Sequence, residues 1–210
     1  MKFTDRLICE ADTALRTLFA APAASRAVPA GALGAKPEML TERAKAESIR
    51  LMRVNHCGEV CAQALYQGQA IVAREGKTRT ALEQASREER DHLAWCDRRV
   101  RELGGQTSVT TPLFYAGSFA LGVASGLMGD RWSMGFLVET ERQVEVHLDD
   151  HLTRLDPADH VSRAIVDAMR EDEIRHGNSA EAHGARELPA PVRGAMRLIS
   201  RVMTSLTYRV

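Results

Sequence analysis

Two tetrads of one form, Glu89-Arg-Asp-His92 and Glu173-Ile-Arg-His176, are the residues of this chain best suited to chemistry. Positions i and i+3 of an α-helix share a face, so each Glu-x-x-His can bring a carboxylate and an imidazole to one point beside its helix. Both faces read as inward. Leu82, Ala85, Glu89, His92, Cys96 and Leu103 follow the three-four spacing of a core stripe, and so do Val166, Met169, Glu173, His176 and Ala180. Carboxylates standing where apolar residues belong are strongly unfavourable unless something compensates them, and a bound cation does so. A bundle that holds two ions in this way needs one further carboxylate from each of two other helices. Glu59, in Asn55-His-Cys-Gly-Glu59, supplies the first. For the second, Glu139, Glu141 and Glu145 are on offer; Glu141 falls on the stripe Leu137, Glu141, Val144, Leu148, Leu152, whereas Glu139 lies off it. Glu59 precedes Glu89 by 30 residues and Glu141 precedes Glu173 by 32, so two helical hairpins echo one another as a duplication would leave them.

Four ionised carboxylates carry about −4 and two neutral imidazoles nothing, a charge that two divalent ions balance. Oxygen-rich ligands without thiolate disfavour structural zinc; iron or manganese fits, and iron is the usual choice for activating dioxygen. His56 and His147 lie on ligand-bearing helices and are candidates to orient a carboxylate, or else ordinary, partly exposed histidines. His151, His160 and His183 are expected at the surface, and Cys57 and Cys61 are expected to pack as small apolar residues. The sequence shows no nucleophile signature and no phosphate-binding glycine loop.

The elements that must position these residues are helices. At 210 residues, 44% hydrophobic and 27% charged, the chain can bury a core without staples, which excludes wholesale disorder and a multi-span membrane protein. Lysine plus arginine and aspartate plus glutamate number 28 each, so no global field points to nucleic acid. Four cysteines without a CxxC pair, and an N-terminus without an unbroken apolar run, read as a cytosolic setting with reduced thiols. Residues 3–19 read as a short amphipathic helix, and the Ala/Gly/Pro-rich stretch 21–37 as a linker. Residues 1–38 are thus set apart from a helical domain over 39–210. Its long helices are expected at about 39–74, 78–103, 131–155 and 157–186, the last with Pro157 in its first turn. Between Gly104 and Gly129 there is no charge; the four glycines of 112–129 make a buried or membrane-resting helix a better reading than a span. The tail 189–207 is an amphipathic helix with Arg193, Arg197 and Arg201 four apart. It suits an anionic bilayer, or docks on the bundle with its arginines solvated.

The chain resembles the demethoxyubiquinone hydroxylase family of ubiquinone biosynthesis. The matching features are Arg53-Val-Asn-His-Cys-Gly-Glu59, Glu89-x-x-His92, Glu141 with His147 six residues on, and Glu171-Asp-Glu-Ile-Arg-His176. The glycine-rich segment matches as well, through Gly117, Phe119-Ala-Leu-Gly122 and Leu127-Met-Gly129. The likeness covers about residues 40–210 and leaves out the first 38. It implies an all-α, ferritin-like four-helix bundle with extra membrane-associated helices, resting peripherally on the cytoplasmic side of the cell membrane. It also implies a di-iron monooxygenase that hydroxylates the ring of a demethoxy polyprenyl quinol with dioxygen and an external reductant. The iron ligands become Glu59, Glu89, His92, Glu141, Glu173 and His176. A ubiquinone-biosynthesis complex and a homo-oligomer are compatible with it. Two departures stand out: Cys57 where alanine is more usual, and Leu148 after His147 where animal members have tyrosine, which puts an electron route through that tyrosine in doubt. Two other readings compete: a ferritin-like iron-storage or peroxide-scavenging protein, and a non-enzymatic quinone or lipid carrier. Liposome flotation separates the first from the hydroxylase, and stoichiometric iron separates the second.

Overall fold

The structure, a computed structural model, describes residues 3–29 and 39–210, and the described residues form seven helices without a strand. They are α1 (Phe3–Phe19), α2 (Glu42–Val72), α3 (Gly76–Glu102), α4 (Thr111–Leu127), α5 (Asp130–Arg154), α6 (His160–Ala182) and α7 (Ala190–Thr207). The hairpins α2–α3 and α5–α6 pack together as the four-helix bundle; α4 connects them and lies along α2.

Local chemistry sets the helix ends. Thr41 caps α2, its hydroxyl accepting from the Ala44 amide at 3.2 Å, so the helix begins three residues later than its charge pattern suggests. Gly104, at φ +75°, ends α3 in the left-handed conformation that suits glycine. Pro157 does not open α6 as expected. Asp159 caps that helix instead, accepting from the Ser162 amide at 2.9 Å, and Pro157 lies in the preceding turn. The Asp159 carboxylate is buried, and it also accepts from Arg99 on α3 at 2.7 Å and from the Ser48 hydroxyl on α2. One capping residue therefore ties three helices, and its position decides where α6 starts.

The glycines of 112–129 act in packing. A Cβ on Gly122 would stand 2.2 Å from the Leu65 carbonyl oxygen, and one on Gly68 of α2 would stand 2.4 Å from that of Phe119. Only glycine lets these two backbones approach so closely. The apolar side chains of α4 then have one face left: Leu113 and Leu127 are exposed. No described helix is long and apolar enough to cross a membrane.

The stretch read as a linker is described over 21–29, and there it lies against the bundle. Ser25 and Arg26 hydrogen-bond Asp91, and Val28 packs on the core residues Trp95 and Ile165. Residues 30–37 of that stretch lie outside the described residues. α1 also docks, through Ala14 and Leu18 on Val60 and Leu93, with Gln67 donating to the Glu10 carboxylate at 2.6 Å.

Besides the Val60–Leu93 group on which α1 docks, the core has two larger clusters. One apolar cluster gathers Leu65, Tyr66, Leu82, Leu137 and Ala180; another gathers Met52, Trp95, Leu148, Val166 and Met169. On each of the four long helices, the polar residues of interest fall between the parts belonging to the two clusters.

Candidate metal centre

Glu59 on α2, Glu89 and His92 on α3, Glu141 on α5, and Glu173 and His176 on α6 are all buried, none more than 7% exposed. Their donor atoms form two interlocking groups, Glu59–Glu89–His92–Glu173 and Glu89–Glu141–Glu173–His176, each with its atoms within 4.8 Å of one another. Glu89 and Glu173 belong to both. The arrangement is pseudo-twofold, as the hairpin echo requires. His92 Nδ1 lies 3.0 Å from Glu89, 3.3 Å from Glu173 and 3.5 Å from Glu59; His176 Nδ1 lies 3.3 Å from Glu89, 3.6 Å from Glu173 and 3.8 Å from Glu141.

Burial, and then the neighbouring Glu89 charge, raise the Glu59 carboxyl well above the usual range; burial and the charge of Glu173 do the same to Glu141. Burial works against the His176 imidazolium, yet the close carboxylates of Glu173 and Glu89 hold its pKa up, at about 12. Burial is likewise overcome at His92, raised by Asp172, Glu173, Glu59 and Glu89. Without metal, then, protons supply the positive charge that four clustered acids demand. Hydrogen bonding leaves Glu89 Oε1, Glu141 Oε2, Glu173 Oε2 and His176 Nδ1 buried and without a partner among the described residues. Buried donors and acceptors are normally satisfied. Orphaned lone pairs from three acids and an imidazole, with no thiolate among them, fit a pair of divalent cations bound mainly through oxygen.

Three features of the site were not singled out in the sequence. Asp172 accepts from His92 Nε2 at 2.9 Å, and Glu88 meets His176 Nε2 at 2.5 Å. Each acid immediately precedes the glutamate of one tetrad and turns the histidine of the other, so that Nδ1 points inward. An acidic residue directly before each Glu-x-x-His was the available signal. Tyr66 is the third: its hydroxyl donates to Glu141 Oε1 at 2.5 Å, from two helical turns beyond Glu59 on the same face.

Neither suggested orienting histidine joins the cluster. His56 is buried with its Nδ1 unpartnered among the described residues, and His147 packs its ring 3.9 Å from that of His151. Glu139 is buried but bonds Gln143 at 2.7 Å, outside both groups. The expectation for His151 was wrong: it is 1% exposed, because the last turn of α5 faces the core at that point, while His160 and His183 are exposed as expected. Burial, then the neighbouring His147, push the His151 imidazole down to about 2. The unfolded chain takes up this proton near pH 6.5, so across the window between, it binds more protons than the folded chain and stability falls as pH falls. From pH 7 to 5 the expected share of His151 is about 2 kcal/mol. It reads as the difference in pH dependence between the wild-type chain and His151→Leu in denaturant unfolding, and equal dependence in the two would refute it.

Beside the cluster an apolar cavity of ≈ 220 Å³ opens between α2, α4, α5 and α7, lined by Leu65, Phe114, Phe136, Val144, Met196 and Met203 among others. Gly58 and Thr140, chain neighbours of Glu59 and Glu141, also line it.

Four long helices that deliver paired Glu-x-x-His faces to one buried point, each partnered by a further glutamate, define a ferritin-like bundle of the carboxylate type. Comparison with known proteins narrows the class. The profile described as "Ubiquinone biosynthesis protein COQ7" matches residues 46–207, and the chain belongs to that family. It is 56% identical over 206 residues to the 3-demethoxyubiquinol 3-hydroxylase of Chromobacterium violaceum, covering 98% of this chain and 99% of the relative. It is likewise 56% identical over 207 residues to that of Nitrosomonas europaea (98% of each chain), and 53% identical over 206 residues to that of Azoarcus sp. (98% and 99%).

Proposed function

We propose that this chain is a 3-demethoxyubiquinol 3-hydroxylase that adds a hydroxyl group to the ring of a demethoxy polyprenyl quinol, with two iron ions held by Glu59, Glu89, His92, Glu141, Glu173 and His176. The observation that carries the reading is the buried pair of donor groups sharing Glu89 and Glu173, in a chain whose near-full-length relatives bear the hydroxylase name. When bound, the iron pair supplies the activation of dioxygen, with two electrons from an external reductant. In the balanced reaction one oxygen atom enters the ring C–H bond and the other leaves as water, taking two protons.

The chain's own residues do the rest. Asp172 and Glu88 hold the histidines with Nδ1 inward, and Tyr66 holds one oxygen of Glu141, so the donor set is arranged before metal arrives. The apolar cavity beside Glu59 and Glu141 receives the quinol ring and keeps bulk water from it. Its wall includes α4 and α7, whose outward apolar residues lay the enzyme on the bilayer that holds the polyprenyl tail. Substrate then enters sideways without crossing water. Storage of iron needs neither that cavity nor a membrane face, and a carrier needs no orphaned carboxylates.

The deciding experiment extracts quinones from cells lacking this chain. The expected result is accumulation of the demethoxy precursor, restored to ubiquinone by the wild-type chain but not by Glu173→Ala. A normal ubiquinone pool without precursor would overturn the assignment.

A further inference from the structure

The pseudo-twofold centre is supported unequally from outside. On the His176 side, Glu88 is half-buried and held by Gln84 at 2.6 Å, with Arg175 3.8 Å away. On the His92 side an additional piece of chain is present. Arg26, which precedes the span matched by the family profile, donates from one terminal nitrogen to Asp172 Oδ2 at 2.6 Å and from Nε to Asp91 Oδ2 at 2.8 Å. The same Asp172 oxygen accepts from His92 Nε2 at 2.9 Å. One guanidinium thus spans carboxylates on α3 and α6 and ends a line that runs Arg26, Asp172, His92.

Arg26 is itself fixed. The Ser25 amide and hydroxyl bond Asp91 Oδ1 at 2.6 and 3.0 Å, the partly buried Val28 packs against the core, and the guanidinium carbon lies 4.9 Å from the centre of the Trp95 ring. The Trp95 ring stands in turn 5.5 Å from that of His92. Arginine suits this place because its planar fork meets two carboxylates at once, where an ammonium is a single point charge. Among the described residues the other guanidinium on Asp172 is that of Arg175, more exposed than Arg26, which bonds Oδ1 at 2.7 Å and leaves the oxygen facing His92 to Arg26.

We infer that Arg26 is a positioning residue of the metal centre, fixing the Asp172 carboxylate that orients His92, so that the N-terminal segment is a working part of one half of the site. The inference rests on the metal-centre reading above. It makes the two metal positions unequal: loss of Arg26 loosens the Glu59–His92 half and spares the Glu141–His176 half.

The test is a titration of the full metal-free chain with Co²⁺ against a competing chelator, following both affinity and the visible bands of bound cobalt. The wild-type chain is expected to take up two ions. In Arg26→Gln one binding step weakens by about tenfold to a hundredfold, with a changed cobalt band, and the other step keeps its wild-type value. Combining Arg26→Gln with Asp172→Asn weakens that step no further than Asp172→Asn alone, because both act through one carboxylate. Arg26→Lys, which keeps the charge but not the fork, weakens the same step less, and carries the test if the glutamine variant fails to fold. Two wild-type steps in the folded variants, equal weakening of both steps, or additive effects with Asp172→Asn would each overturn the inference while leaving the metal centre standing. A wild-type chain that takes up no cobalt would overturn the metal centre and this inference with it.

Discussion

Glu89→Ala, purified as the full chain, is expected to lose both metals and all measurable hydroxylation while keeping its helix content. The reason is geometric. Glu89 and Glu173 are the two acids that belong to both donor groups, so deleting either takes an oxygen from each position at once. Glu59 and Glu141 belong to one group each, and Glu59→Ala or Glu141→Ala should leave one ion bound with reduced affinity. The fold is expected to survive because apolar clusters and the Asp159 link between α2, α3 and α6 hold the helices without the acids, and the histidines can give up a proton when a carboxylate is removed. The cavity left by a truncated side chain costs on the order of 1 to 3 kcal/mol, within the stability of a bundle whose apolar clusters lie to either side. Metal analysis, turnover and circular dichroism on the four alanine variants check the claim together. Full iron content and turnover in Glu89→Ala would sink the ligand assignment; equal losses in all four would sink the distinction between shared and unshared acids.

The long bundle helices and the six polar positions were legible in the sequence for one physical reason. An acid on an apolar stripe is an anomaly that burial makes expensive, and two anomalies of the same spacing imply a common cause. Glu141 could be told from Glu139 by the same periodicity, and the structure places Glu141 in the cluster and Glu139 outside it although both are buried. What could not be read were contacts between elements distant in the chain. Asp172 and Glu88 each serve the histidine of the other hairpin, so spacing along either helix alone does not reveal them. Arg26 sits in a stretch whose composition says only that it forms no core of its own, and its partners lie 65 and 146 residues away. His151 follows His147 by one turn and shares its polar surroundings, so nothing local marks it as buried. The glycines of α4 signalled low hydrophobicity, and their packing role appears only with the Leu65 carbonyl in place.

Neutralising the outer arginines of α7 should detach the protein from anionic vesicles without touching the metal centre. The helix carries its apolar and cationic residues on adjoining arcs. Met196 and Met203 line the cavity, Leu198 and Val202 are 63% and 49% exposed, and Arg197 and Arg201 stand exposed beside them. Arg193 is partly occupied by Glu187 at 2.8 Å, so the test of the proposed membrane face falls on Arg197 and Arg201. Near an anionic surface each arginine contributes about 1 kcal/mol, so Arg197→Gln with Arg201→Gln should weaken binding roughly thirtyfold at physiological salt. Replacing Leu198 and Val202 by serine tests the other arc, and should weaken binding to neutral and anionic vesicles alike, because that contribution depends on apolar area rather than charge. The cobalt titration should be unchanged in both double variants, since α7 contributes no donor to either group. Hydroxylation of a long-chain quinol in vesicles should fall with binding, while a short-chain analogue in solution keeps its turnover. If the arginine variant and the serine variant both float with anionic vesicles as the wild-type chain does, α7 is a wall of the cavity and makes no membrane contact.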